Sequence, residues 1–353
     1  MAQGVASTPA LQQTYAGEGG PLEPKPHWKR DGHRRTYGAI DLGTNNCRLL
    51  VARPTRGGFR VIDAFSRIVR LGEGLAATGE LSETAMERTV EALRICAGKI
   101  DQRKVMAGRY VATEACRRAD NCNEFLERVR DEIGVELEII STREEARLVV
   151  AGCAPLLHSR IPYALVFDIG GGSTEIVWLR RHGTRYGVPE ILGSVSLPFG
   201  VVTFTERFGG IEVSPAVYRA MVAEAEAALQ PFEREHGIRR EVRARQVQML
   251  GSSGTVTTLA GVHLALPRYI RAFVDGSMLT FDQIELVSRH LAGLDIEGRA
   301  ANPCVGRERA DLVLSGCAIL DAICATWPVG RLRVADRGIR EGILLELMQA
   351  APA

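Results

Sequence analysis

Val166-Phe167-Asp168-Ile169-Gly170-Gly171-Gly172-Ser173-Thr174-Glu175 repeats, 127 residues further on, the plan of Ala39-Ile40-Asp41-Leu42-Gly43-Thr44-Asn45-Asn46. Each stretch is an apolar strand with an aspartate at its C-terminal end, then a glycine turn, then a second apolar strand running back (49–52 and 176–179). Strand C-termini are where α/β proteins place ligands. Glycine removes Cβ, so backbone N–H groups can close on phosphate oxygens as a nest. The side chains of Thr44, Asn45, Ser173 and Thr174 add donors. A carboxylate beside a polyanion repels it, so Asp41 and Asp168 make sense with a cation between them and the phosphates. Mg²⁺, which prefers oxygen ligands and keeps several waters, fits best. One copy alone reads equally well as a hairpin closed by an Asx-type turn. Two matched copies indicate two related domains that face each other across a cleft.

Working outward, strand patterns at 37–40, 49–52, 59–65, 109–113 and 135–140 alternate with a helix capped by Ser82 and another over 123–133 that Gly134 ends. These elements make a first domain over 37–141. Strands at 164–167, 176–179, 195–197, 246–250 and 332–335, with helices over 214–236, 281–294 and 307–327, make a second domain over 142–338. A closing helix over 339–350 is expected to pack back on the first domain. Strands mixed with helices throughout give an α/β fold class. Residues 1–36 carry Pro9, Pro21, Pro24, Pro26 and a basic cluster at 29–35 without periodicity, and read as a disordered, solvated tail.

The chain has 353 residues and a formal charge of +2, with 46% hydrophobic and 24% charged residues. That suits two ordinary domains and offers no global field that would announce nucleic acid or a membrane surface. No apolar run reaches the ~18 residues of a membrane span. An anion site must therefore be local, and the basic residues suit one: 40 are Arg and only four Lys, and Arg grips phosphate bidentately. Eight cysteines (47, 96, 116, 122, 153, 304, 317, 324) form no Cys-x-x-Cys pair and lie in apolar stretches. They read as reduced core residues. With no apolar segment after Met1, a cytoplasmic location is expected.

Two further turns have the same character. Gly251-Ser252-Ser253-Gly254-Thr255 follows a strand and opens a helix, whose N-terminal amides would face an anion; a plain strand-to-helix turn reads equally well. Asp336-Arg337-Gly338 follows the last strand, with Arg340 and Glu341 just beyond. Between the domains lies Ser141-Thr142-Arg143-Glu144-Glu145-Ala146-Arg147. Thr142 as N-cap would place Glu145 at the third helical position, as in a capping box. The functional alternative is a carboxylate at a helix start that holds a water as general base, with Glu144 and Glu145 both available.

Taken in order, Asp41 to Asn46, Thr113-Glu114-Ala115-Cys116-Arg117, Glu144 to Arg147, Asp168 to Glu175, Gly251 to Thr255 and Arg340-Glu341-Gly342 make the chain resemble the exopolyphosphatase/guanosine pentaphosphate phosphohydrolase (Ppx/GppA) family, within the actin–hexokinase–Hsp70 superfamily. The resemblance covers about 37–348 and implies two actin-like (ribonuclease H-like) domains of the short type, without an appended helical domain. It implies an Mg²⁺-dependent exopolyphosphatase that releases terminal orthophosphate from inorganic polyphosphate, with Glu145 as general base. Arg117 and Glu175 would be catalytic partners, and Asp41, Asp168 and Glu175 would hold metal. Gly43, Thr44, Asn45, Asn46, Gly170, Gly171, Gly172, Ser173, Thr174, Ser252, Ser253, Gly254 and Arg309 would bind phosphate. The family alternative is hydrolysis of pppGpp to ppGpp, a stringent-response role. The basic stretch 239–245 reads equally well as a path for polyphosphate and as a solvated helix end or loop, and the lack of an aromatic cluster near the glycine turns favours polyphosphate. A homodimer is implied by the same resemblance. Outside the family stand a sugar kinase of the same superfamily and a non-catalytic phosphate or nucleotide sensor; the Glu-Glu-Ala-Arg segment argues against the first, and the retention of every acidic candidate against the second.

Overall fold

A computed structural model describes residues 35–181 and 189–350. The first sheet contains β1 (Tyr37–Leu42), β2 (Asn46–Thr55), β3 (Gly58–Ile68), β4 (Ala107–Ala112) and β5 (Glu138–Ile139), in the order β3-β2-β1-β4-β5. The second contains β6 (Tyr163–Ile169), β7 (Thr174–Arg180), β8 (Glu190–Leu197), β9 (Val247–Ser252), β10 (Met278–Thr280) and β11 (Arg331–Ala335), in the order β10-β11-β9-β6-β7-β8. With the edge strand β10 set aside, the two sheets have one plan. Three strands meander antiparallel, and the first of them is followed on its other side by two parallel strands. The turns match as well: Gly43 N–H donates to Asn46 O and Gly170 N–H to Ser173 O, both at 2.9 Å. The repeat seen in sequence is therefore a repeat of whole sheets.

Alternation decides which face goes where. In the first sheet Ile40, Leu42, Leu49 and Val51 pack under the helices Glu83–Gln102 and Cys122–Ile133. In the second, Leu165, Phe167, Ile176 and Trp178 pack under helices that include Pro215–His236 and Val313–Thr326. The other faces, with Ala39 and Leu50 from one sheet and Val166 and Val177 from the other, enclose the two helices Thr142–Cys153 and Ile339–Ala350. These two helices cross with their backbones touching. A Cβ on Gly152 would stand 2.2 Å from Gly338 O, and one on Gly342 would stand 2.1 Å from Leu148 O. Arg147 Nη2 donates to Glu346 Oε2 at 2.9 Å along the same seam.

Three expectations need correction. The helix expected over 307–327 is divided: Arg307–Arg309 is a single 3₁₀ turn and the α-helix begins at Val313. The fifth strand shrinks to Glu138–Ile139. The cap of the Thr142 helix is Ser141, whose side chain accepts from Glu144 N–H, so Glu144 and not Glu145 takes the third helical position. The tail expected over 1–36 lies outside the described residues except for its last two, and there Thr36 is buried with its carbonyl accepting from Met106 N–H. All eight cysteines are free and buried. Among the described residues no helix is long and apolar enough to cross a membrane.

Candidate active site

Both glycine turns reach the same cleft, which holds about 870 Å³ of open space. From the first sheet come Asp41, Gly43 to Asn46, and Arg48. From the second come Asp168 and Gly170 to Ser173, with Ser253 and Gly254 at the start of the helix Gly254–His263. The turns touch one another. A Cβ on Gly171 would lie 3.1 Å from Asn45 N, and one on Gly172 would lie 2.8 Å from Thr44 Oγ1. Glycine at these two positions therefore serves loop-to-loop contact as well as the nest read from sequence. Ser253 has φ +141°, a left-handed strain for a residue with a side chain, at the point where the helix N-terminus meets the cleft. Its hydroxyl accepts from Val256 N–H at 3.2 Å and caps that helix.

Glu145 lines the cleft although only 5% exposed. Its Oε2 accepts from Arg117 Nη1 at 2.7 Å. Glu144 turns outward instead, held by Arg109 Nη1 at 2.8 Å and Arg147 Nε at 2.7 Å, and these cations hold it down at about 2. The choice between the two carboxylates, open in the sequence, is made by these arginines. Burial pushes Glu145 well above the usual carboxylate range, and the negative charge of Glu175 adds to this. Arg117 opposes both. Burial likewise raises Asp41 and Asp168, with Arg48 the first opposing charge in each case.

Arg48 is a site residue the sequence reading missed. It pairs directly with Asp41 across the first hairpin, at the position Glu175 holds opposite Asp168 in the second. Counting seven residues from each aspartate would have found it. Glu114 and Thr113 also line the cleft unforeseen. Arg117 does not line it. Its fork is occupied by Glu114 (Nη2 to Oε2, 2.9 Å), Glu145 and the Ile140 carbonyl (2.9 Å), so it positions the carboxylates from behind. Thr174 also faces away, donating to Phe199 O at 2.8 Å. Glu175 sits behind Ser173, which donates to its Oε1 at 2.7 Å.

The proposed metal set needs a parallel correction. Among the described residues no three His, Cys, Asp or Glu side chains converge on one ion position, because Glu175 is turned toward Ser173 and Ser196. Asp41 and Asp168 remain, an all-oxygen pair beside the buried and unpaired Oδ1 atoms of Asn45 and Asn46. Two carboxylates fit Mg²⁺, which completes its shell with waters and phosphate oxygens.

Burial pushes Glu175 up to about 7, and the hydrogen bond from Ser173 opposes this. Its folded value lies above its unfolded one. The stability associated with it is thus full below pH ~4.3 and is lost as pH rises through about 7. Glu175→Gln keeps an acceptor for both serines and is expected to melt higher than the parent at pH 8, with the two curves converging at pH 4. Calorimetry at the two pH values checks this.

A second chamber adjoins the cleft through Asp41, Asp168, Ser253 and Arg309. Arg48, Arg337 and Arg340 join Arg309 in its wall, and so does Ser252, whose hydroxyl lies 3.1 Å from Asp168 Oδ1. Arg48 and Arg340 have no ion-pair partner among the described residues, whereas Arg337 is tied to Asp275 at 2.8 Å. Tyr269 is the one aromatic residue there, and its hydroxyl donates to Asp336 at 2.6 Å.

Residues 50–351 match the Ppx/GppA phosphatase family. Among curated proteins, the guanosine-5'-triphosphate,3'-diphosphate pyrophosphatase of Aeromonas hydrophila is 32% identical over 313 residues, 88% of this chain and 59% of that protein. The protein of the same name from Photobacterium profundum is 29% identical over 319 residues, again 88% of this chain and 59% of the relative. The chain thus spans about three-fifths of the length of the curated relatives it matches. Among solved structures, the Ppx/GppA family member of Aquifex aeolicus is 30% identical with a TM-score of 0.73, covering 90% of this chain and 99% of its own. An exopolyphosphatase from Cytophaga hutchinsonii, 23% identical with a TM-score of 0.79 over 90% of this chain and 99% of its own, shares the fold.

Proposed function

Because this chain belongs to the Ppx/GppA phosphatase family, we propose that it hydrolyses terminal phosphoanhydrides, with Glu145 as general base. The observation that carries this reading is a buried carboxylate fixed by Arg117 at 2.7 Å in a cleft walled by two glycine turns. The turns and the N-terminus of the Gly254 helix would hold the terminal phosphate through N–H groups. Glu145 would take a proton from water while the water oxygen forms its bond to phosphorus. The bridging P–O bond breaks in line, and its electron pair leaves with the shortened chain. Mg²⁺ on Asp41 and Asp168 would offset phosphate charge.

The substrate we favour is inorganic polyphosphate. Arg48, Arg309, Arg337 and Arg340 line the chamber into which the rest of a phosphate chain would run. A second reading, pppGpp, is favoured by the names of the curated relatives, and would place guanosine in the same chamber. Phosphate release with and without Mg²⁺, measured in parallel on long-chain polyphosphate, pppGpp, ATP, and ATP plus glucose, separates these. Release from polyphosphate supports the first reading and release mainly from pppGpp the second. Glucose phosphorylation would replace both with a kinase.

Two outcomes are expected within this scheme. Glu145 must be ionised to act, so kcat/KM should fall with decreasing pH well above the ordinary glutamate value of about 4.3. Arg117→Ala should move that acid limb to higher pH, since Arg117 lowers the Glu145 value. Arg48→Ala removes a charge-assisted phosphate contact, and should cost about 10- to 100-fold in kcat/KM, corresponding to roughly 1.5–3 kcal/mol. Steady-state kinetics across pH checks both.

A further inference from the structure

Behind the carboxylates lies another cavity, which shares no lining residue with the cleft or the arginine chamber. One wall is the start of the Thr142 helix, with Thr142, Arg143, Ala146 and Arg147. The other is the face of β8 that carries Ser194 and Ser196. The partition between it and the cleft consists of buried residues, Glu145, Ser173 and Glu175 among them. Glu145 and Ser173 line the cleft, while their near neighbours Ala146 and Glu175 line the cavity. Three side chains cross the partition in a row: Ser173 donates to Glu175 Oε1 at 2.7 Å, and Ser196 donates to the same oxygen at 2.9 Å. Glu175 pairs with Ser196 across the strands, so both project to this side. Arg143 is exposed beside the cavity and has no ion-pair partner among the described residues.

In-line attack gives this arrangement a use. Water must approach phosphorus opposite the leaving oxygen. If the chain runs into the arginine chamber, the water comes from the Glu145 side. Inversion then leaves orthophosphate on that side, with the shortened chain still between it and the front of the cleft. We propose that orthophosphate leaves through the rear cavity, past the Ser173–Glu175–Ser196 bonds and toward Arg143, while the remaining polyanion stays in the chamber. This inference rests on the phosphoanhydride hydrolase reading above. Arg143, exposed at the far side of the partition, supplies the positive charge that draws the anion outward.

The test is to fill the cavity without touching the carboxylates. Ser194→Trp does so from β8, and Thr142→Trp from the opposite wall. The full-length chain and each variant are mixed with polyphosphate, and separately with pppGpp. Total orthophosphate is read after acid quench, and free orthophosphate by a fluorescent phosphate-binding sensor. In the parent protein the two signals should rise together. In either variant that melts within a few degrees of the parent, total orthophosphate should keep its first-turnover rate. Free orthophosphate should lag by at least about tenfold, equivalent to 1.4 kcal/mol of added barrier. Free and total signals rising together in a folded variant would overturn the rear exit and leave the hydrolase reading intact. If the parent releases nothing from either substrate, the hydrolase reading fails first and the exit with it.

Discussion

Glu145→Gln is expected to lose about 10²- to 10⁴-fold in turnover, the usual contribution of a positioned general base, while folding normally. The amide retains shape and an oxygen that can accept from Arg117 Nη1, which the carboxylate now does at 2.7 Å, so packing at this buried position is preserved. What disappears is basicity. Glu144→Gln is the internal control. Glu144 is tied outward to Arg109 and Arg147, so its loss should cost salt-bridge support at the surface and less than about 1 kcal/mol of stability, with turnover nearly unchanged. Full activity in Glu145→Gln would move the base to another cleft carboxylate, and Glu114 would be the first to test. Single-turnover phosphate release is the measurement, because it reads the chemical step apart from product exit.

The second large effect concerns folding. Gly342→Ala should destabilise the protein by about 3 kcal/mol or more, at or beyond the upper end of ordinary overpacking. The new methyl group would sit 2.1 Å from Leu148 O, and Gly152→Ala would sit 2.2 Å from Gly338 O. Both clashes are with backbone, so no rotamer change relieves them and the two central helices must separate. That separation would shift Glu145 at one end and loosen the turn before Ile339 at the other, so residual activity should fall with stability. Gly98→Ala is the contrast. It lies in the helix Glu83–Gln102 with nothing within 4 Å of its added Cβ, and should stabilise by about 0.5–1 kcal/mol. Urea unfolding of the three variants decides the matter.

Much of this was legible in the sequence because the repeat is a local device. An apolar strand, an aspartate and a glycine turn can be recognised without knowing what they face, and from two copies follow the two sheets and the cleft between them. The misreadings arose where a tertiary partner makes the choice. Ser141 and Thr142 are both competent caps, and Glu144 and Glu145 both competent bases. The selection comes from Arg109, which reaches Glu144 from β4, 35 residues upstream. Arg117 reads as a phosphate ligand until its fork is seen to be occupied by Glu114 and Glu145. Arg48 went unnoticed because it stands next to the apolar run Leu49 to Ala52 in its strand, and only pairing with Asp41 gives it a place in the site.

The eight buried thiols give this chain reporters of its own opening. Each is shielded from solvent and held in no disulfide, so an alkylating reagent reaches it only when the surrounding structure comes apart. Labelling rates therefore read local or global opening free energies without any added probe. Cys47 begins the strand that leaves the first glycine turn, Cys116 lies beside Arg117, and Cys317 lies deep in the second core, so mass spectrometry would show which half yields first. A compound that binds only the folded cleft adds RT ln(1 + [L]/Kd) to the cost of global opening. Slowed alkylation would thus rank polyphosphates and nucleotides as ligands before any turnover is measured.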